Sequence, residues 1–291
     1  MSKLKILAVM AAFASLSAAL TLTTGRVHAA HNSLSFTTID VPGSTETDCN
    51  DINTAGVIVG FYVDSSGVDH GFSWSAGKFR IINVPGATST LAYGINDSND
   101  VVGWYTDSAG VTHGFKLVGT KVTTIDPPGT TFTNAWSIDK AGEIVGAYID
   151  TSSVYHGFTD VAGTYNTVDY PSSILTELTG LNNNKQMVGI YDDAAGNEHG
   201  FYLVSSVFTP VNYPGATLTA SDRISDKGEI VGLHGTSTTG PFSGYTKISG
   251  KFTNVVVPGS TETRVRGLNN AGTLVGRYTD SSGVIHGYSA H

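Results

Sequence analysis

FRIINVPGATSTLAYGINDSNDVVGWYTDSAGVTHGFKLVGTK, Phe79 to Lys121, is one copy of a 43-residue unit that recurs six times along the chain. Three markers register the copies. A Val-Gly pair ends in Gly60, Gly103, Gly146, Gly189, Gly232 and Gly276. A glycine before an aromatic gives Gly71, Gly114, Gly157, Gly200, Gly244 and Gly287. A strand-ending proline gives Pro42, Pro85, Pro128, Pro171, Pro214 and Pro258. A period near 40 residues signals a propeller, a solenoid or an array.

Within the unit nothing has helical period. Four short strands fit, separated by turn residues. The first, about Thr88 to Ile95, runs into Asn96-Asp97-Ser98-Asn99, whose leading Asn can accept from turn amides and whose fourth position suits a left-handed residue. Glycine holds that position in four copies. Asn99 is a tolerable substitute, and Lys185 implies strain or a different turn. The second strand, Val101 to Thr106, contains Gly103, and the two glycine columns imply close face-to-face contact of neighbouring sheets. The third spans His113 to Val118. The fourth, Lys121 to Asp126, ends on a Pro-Gly turn of type II character. Repeat four has Pro171-Ser172 in place of Pro-Gly, which predicts a type I turn.

Four antiparallel strands per unit make a propeller blade, and six units close a ring. The chain begins on a fourth-type strand, Phe36 to Val41, and ends on a third-type strand, Ile285 to Ala290, so the two should pair and complete the sixth blade. Closure protects edges that an open array exposes. A parallel β-solenoid is the weaker alternative, because it does not explain the mismatched ends. The expectation is an all-β, six-bladed β-propeller occupying residues 31–291 as a single domain, and a monomer.

Residues 1–30 read as a bacterial export signal. Lys3 and Lys5 precede an apolar run, and Val27-His28-Ala29 supplies small residues for cleavage. The run is short for a membrane span, and the location implied is extracellular or periplasmic. Removing Lys3, Lys5 and Arg26 leaves 13 basic against 24 acidic residues. An acidic chain without a basic stripe argues against nucleic acid and anionic lipid as partners, and leaves sugars, cations and proteins. The single cysteine, Cys49, has no internal partner and occupies a small apolar slot, so it reads as an inert buried thiol.

His-Gly-Phe, Gly-x-Phe, Pro-Gly-Ala, Gly-Ile-Asn and Val-Val-Gly-x-Tyr, recurring at fixed spacing over residues 36–291, resemble the HAF-type bacterial extracellular repeat family. The middle position of that family's His-Ala-Phe signature is glycine here, as in His113-Gly114-Phe115. The resemblance implies an exported, propeller-like repeat protein and carries no catalytic residue across.

Asp and His recur together in the hairpin between second and third strands: Asp64 with His70, Asp107 with His113, Asp150 with His156, Asp193 with His199, and Asp280 with His286. Repeat five loses both at once, which implies that they touch. Two ligands per repeat are too few for a zinc site, and copies in a ring lie too far apart to share one. The reading is a hairpin clasp, with no metal and no cofactor. A second uniform column, Thr47, Thr90, Thr133, Thr176, Thr219 and Thr263, reads as hydroxyls bonded to neighbouring loop backbone.

Function is better sought where copies disagree. The innermost strands vary at Asp48, Leu91, Asn134, Glu177, Ala220 and Arg264, and again at Asn50, Tyr93, Trp136, Thr179, Asp222 and Arg266. Asp48, Asn50, Tyr93, Asn134, Trp136, Glu177, Asp222, Arg264 and Arg266 are therefore the candidate ligand-binding residues at a channel mouth. Aromatic faces among charged groups suit a sugar. Arg264 and Arg266 paired with Asp48 and Asp222 across adjacent blades is the structural alternative. A third variable column, Phe61, Trp104, Ala147, Ile190, Leu233 and Arg277, reads as packing between blades. No Walker loop, Gly-x-Ser-x-Gly elbow, His-Glu-x-x-His pair or calcium loop occurs. The leading function is a non-catalytic binding module for carbohydrate or a cell-envelope protein. The alternatives are a glycoside hydrolase or lyase or a metal-dependent hydrolase using the same carboxylates, and a purely structural repeat protein.

Overall fold

Turn chemistry cuts the chain into 24 strands, β1 to β24 in chain order, and no helix occurs among residues 34–291, which the computed structural model describes. The export signal read over residues 1–30 lies outside the described residues. Residues 35–291 form one compact unit. In repeat two, β6 is Ser89–Ile95, β7 is Val101–Thr106, β8 is Thr112–Val118 and β9 is Lys121–Ile125, within a residue of the sequence reading.

The strands pair antiparallel in consecutive fours, beginning with β2 (Glu46–Ile52) to β5 (Lys78–Ile82). These fours are called sets one to six. The last set, β22 (Glu262–Leu268) to β24 (Ile285–Ala290), has three strands of its own and takes β1 (Phe36–Ile39) as its fourth, with Phe36 opposite Ala290. Single parallel bridges, Glu46 to Ile285 and Tyr155 to Leu175, join sets six and one and sets three and four, so the strands fall into four sheets.

The first strand of every set packs on the first strand of the next, through β2, β6, β10 (Thr130–Ile138), β14 (Leu175–Leu181), β18 (Leu218–Ile224) and β22, and β22 packs back on β2. The core accordingly lies in layers between sets. Val59 of set one packs with Ala92, Ile95 and Phe115 of set two, and Val145 of set three with Leu178 and Phe201 of set four. Aromatics of the third strand, Phe72, Phe115, Phe158, Phe201, Tyr245 and Tyr288, are fully buried in these layers. Cys49 is buried too, and burial pushes its thiol well up, as befits an inert slot.

Every inner strand carries a β-bulge at the same place. Cys49 faces Gly60 and Asp51 faces Val59, which leaves Asn50 as the extra residue; Tyr93, Trp136, Thr179, Asp222 and Arg266 are its equivalents. The bulge also explains the first glycine column. A Cβ on Gly103 would collide with the Leu91 carbonyl of its own set, and Gly60, Gly146, Gly189, Gly232 and Gly276 meet the equivalent carbonyl. That column therefore serves the bulge within a set, and not contact between neighbouring sheets.

Turns hold to one geometry even where the residue type departs. Lys185 keeps the common turn with φ of +61°, and Asn99 with +63°. Lys185 turns its ammonium back to Asp139 (2.5 Å) and Glu143 (2.6 Å) of set three. Ser172 adopts φ of +63°, close to the +79° to +83° of its glycine equivalents, so repeat four does not make the type I turn its residues predict. The cause is the uniform threonine. Thr176 accepts from the Tyr170 amide (2.9 Å) and Ser173 bonds both Tyr170 O and Thr176, as Ser44 does with Val41 and Thr47. In repeat three the amide donor is replaced by Pro127, and Thr133 bonds the Thr130 hydroxyl instead.

Gly103→Ala should cost about 1–3 kcal/mol by overpacking against the Leu91 carbonyl. For a chain of this size that is roughly 2–4 °C of melting temperature per kcal/mol, readable by thermal denaturation.

Candidate functional site

The bulge re-aims side chains along the inner strands, and it separates two ends of the molecule. The end carrying the Asp/His hairpins is called upper, and the end carrying the Asn-led turns lower.

All nine candidate residues lie inside, between 1% and 8% exposed, where the sequence reading placed them at a channel mouth. Long side chains from set six fill the space. Arg266 lies between Asp222 (3.5 Å) and Asp48 (4.0 Å). Asp48 also faces Arg277 (3.5 Å), which reaches Glu46 (3.0 Å). Arg264 bonds Glu262 (2.6 Å) and lies under the Phe242 ring (4.8 Å), so its pairing differs from the one weighed from sequence. Burial draws the Arg264 pKa down to about 10, aided by Arg277 and Arg266. Arg266 is held above its ordinary value, the carboxylates of Asp222 and Asp48 outweighing burial.

Aromatics occupy the opposite side. Tyr93 stacks on Trp104 at 3.9 Å, and both meet Trp136 edge-on, at 4.7 and 5.0 Å. Phe61 stacks on Tyr93 from set one. Trp104 and Leu91 are only partly buried, so this cluster reaches the upper surface. Along the inner strands, Asp48 Oδ1, Asn50 Oδ1, Asn134 Oδ1, Asp222 Oδ2 and the Trp136 indole N–H are buried without hydrogen-bond partners.

Arg223, which the sequence reading passed over, spans the centre. Its Nη1 donates to the carbonyls of Thr179 (2.5 Å) and Asp222 (2.9 Å), and its Nη2 to those of Tyr93 (2.6 Å) and Trp136 (2.8 Å). Its Nε faces Asp51 at 3.5 Å. Five sets thus meet at one guanidinium. Its column otherwise holds Asp51, Gly94, Ser137, Gly180 and Gly267, and a charged pair in a column of small residues was the available signal.

Below Arg223 the Asn-led turns line a small basin open to solvent. Its wall is a belt of bonds from each set to the next. Asn53 donates to Asn96 O, Asn96 to Asp139 O and Asn182 to Ser225 O; Asn269 donates to Asn53 O, 216 residues back.

In the upper hairpins Asp64 Oδ1 accepts from the amides of Ser66 and Val68, and its Oδ2 lies 3.1 Å from His70 Nε2. The other four Asp–His pairs stand at 3.3 to 3.7 Å. A third member went unread in the sequence. The ring's Nδ1 meets Asn83, Asp126, Asp169, Asn212 or Asp40 at 2.7 to 3.3 Å, and a tyrosine of the second strand stacks on each imidazole at 5.0 to 5.2 Å. Set five replaces the whole group, with His234, Thr236, Ser243 and Val256 at those positions. Burial disfavours the charged ring of His113, but bonds to Asp126 and Asp107 outweigh it and raise its pKa; His286 is raised likewise by Asp40 and Asp280.

Among the described residues no group of three or more His, Cys, Asp or Glu side chains could hold a metal ion, and no helix is long and apolar enough to cross a membrane.

No family model matches the chain, and no curated protein matches it in sequence. Solved structures do resemble it. A fungal lectin from Aleuria aurantia, a six-bladed β-propeller that recognises fucose, is 10% identical with a TM-score of 0.52, covering 87% of this chain and 93% of its own. A lectin from Burkholderia pseudomallei is 13% identical with a TM-score of 0.51, covering 86% of this chain and 83% of its own. TolB from Acinetobacter baumannii is 10% identical with a TM-score of 0.56, covering 86% of this chain and 65% of its own. At such identities the likeness is one of fold: the chain is an all-β protein of β-propeller type.

Arg223→Met should destabilise by about 3–5 kcal/mol in a urea melt, because Asp51 is left buried without its cation. The His113 and His286 contributions are fully present below the unfolded imidazole value of about 6.5 and fade as pH rises through the raised folded values. The melting-temperature loss in His113→Asn should therefore be larger at pH 5.5 than at pH 8.5.

Proposed function

We propose that this chain is an exported, monomeric, six-bladed β-propeller of the HAF repeat type that binds carbohydrate without transforming it, at the upper end of its axis. Six blades are supported by the closed succession of inner strands from β2 through β22 and back, by β1 completing the last set, and by the Asn269 bond to Asn53. Export rests on the reading of residues 1–30.

The observation that carries the binding reading is the partly exposed Trp104, backed by Tyr93 at 3.9 Å and edged by Trp136. A flat, rigid aromatic face beside buried polar atoms lacking partners is what a sugar ring and its hydroxyls require. The likeness to fucose-recognising propellers supports the same class of ligand. Asp48 and Asp222 face Arg266 and not an open cleft, which favours binding over hydrolysis by that pair.

The test is a thermal-shift screen of residues 31–291 against fucosylated and other oligosaccharides. A ligand at 100 times its Kd adds about 2.7 kcal/mol, roughly 5–10 °C here. The shift should vanish in Trp104→Ala. A shift that survives that substitution places the ligand elsewhere, and the absence of any shift, with capture of an envelope protein, contradicts carbohydrate binding.

A further inference from the structure

Set four presents three carboxyl groups on one face at the upper end. Asp192 in β15 (Met187–Asp192) stands directly opposite Glu198 in β16 (Glu198–Val204). Glu177 lies on the same face of β14, opposite Ile190. Ile190 packs against Leu218, Ala220, Leu233 and Phe242, so this face is turned to set five. Like charges directly opposite one another in a sheet repel, and burial deepens the cost.

The same molecule shows what a compensated set looks like. Where sets six and one meet, Glu46, Asp48 and Glu262 are matched by Arg264 and Arg277. Between sets four and five no cation among the described residues lies within ion-pair distance of Glu177, Asp192 or Glu198. Arg264 and His199 act on Glu198 and Asp192 from further off, and each is engaged elsewhere: Arg264 with Glu262 at 2.6 Å, and His199 with Asp193 at 3.3 Å. The consequence is protonation. Burial, then Asp192 and Asp222, pushes Glu177 up to about 8, and burial with Asp192, Glu177 and Asp222 does the same to Glu198. Burial raises Asp192 as well.

A second observation points into this space. The Trp136 side chain is 8% exposed, and its indole N–H is directed at Glu177 without completing a hydrogen bond. Trp136 thereby links the carboxyl face to the Trp104 and Tyr93 platform. Glu198 and Asp192 remain partly exposed and give access from the upper surface. Among the described residues these groups do not converge as metal ligands do.

We infer that the upper edge of sets four and five, where this carboxyl face meets solvent, is a recognition site for a primary ammonium group, with Glu177, Asp192 and Glu198 as its acceptors and the Trp136 N–H as donor to a neighbouring ligand oxygen. The inference rests on the carbohydrate reading for its choice of ligand: an amino sugar supplies the ammonium group, the ring for Trp104 and the hydroxyl oxygens together. An ammonium ion donates three hydrogen bonds and draws the raised carboxyls into their ionised form, releasing their protons to solvent, and so takes the electrostatic place that an arginine holds between sets six and one.

The test is calorimetric titration of residues 31–291 at neutral pH with a glucosamine oligomer, its N-acetylated counterpart and spermidine. The glucosamine oligomer should bind at least ten-fold tighter than the acetylated one. Asp192→Asn and Glu198→Gln should each lower that affinity ten-fold or more while leaving the melting temperature equal or higher, since Asp192→Asn relieves the crowding of charge and Glu198→Gln keeps the shape of the neutral acid. Spermidine binding as tightly as the glucosamine oligomer upholds the ammonium site and removes the sugar from it. Equal affinity for acetylated and free oligomers, or affinity unmoved by both substitutions, overturns the inference and leaves the carbohydrate reading standing. No binding of either amine overturns it too, and a neutral oligosaccharide lost in Trp104→Ala then shows that the carbohydrate reading survives alone.

Discussion

The Arg223 guanidinium at the centre is the interaction on which the arrangement of the sets depends. One side chain donates to four carbonyls from sets two, three, four and five and faces Asp51 of set one. Backbone carbonyls are free there because the bulges break the ladder, and buried carbonyls need partners. The guanidinium also fills the space through which a channel would run. The upper aromatic and carboxyl groups are thereby separated from the lower basin, and a ligand reaching one end does not pass to the other.

Identity and variation among the copies divide the molecule by role. The Asn-led turns, the Thr hydroxyls bonded to turn amides, and the Asp–His–Asp or Asp–His–Asn groups repeat with small changes and close local bond sets. They leave little free capacity for a ligand. The inner columns, by contrast, change character from set to set, with aromatics in sets two and three, a carboxyl, Glu177, in set four and arginines in set six. Charge is matched in the last of these places and unmatched in set four. A scaffold gains nothing from such asymmetry, and a binding surface does.

Most of the fold was legible because the repeat states the same turn and strand grammar six times. Strand ends in repeat two fall within a residue of expectation, and the mismatched termini correctly imply that β1 pairs with β24. The interior was less legible, for one reason. A bulge inserts an extra residue, and strict alternation cannot see it. Alternation puts Asp51 and Arg223 on the face of the small apolar slot that holds Cys49, so neither drew notice. It also reads Trp104 as packing between blades, where the structure leaves part of its ring at the surface. Ser172 failed for a different reason: propensity disfavours φ of +63° in serine, and the Thr176 and Ser173 bonds override it.

The central claim is that ligand is met at the upper end, on the aromatic cluster. The chain has three tryptophans, and two of them, Trp104 and Trp136, belong to that cluster, so replacing Trp74 by Phe leaves a fluorescence signal from the site alone. Titrating that variant with a saccharide found to bind should give a saturable change in emission and protect Trp104 from acrylamide quenching, with the midpoint matching the calorimetric Kd. Saturable binding by calorimetry with emission and quenching unchanged would contradict the account and move the search to the lower basin.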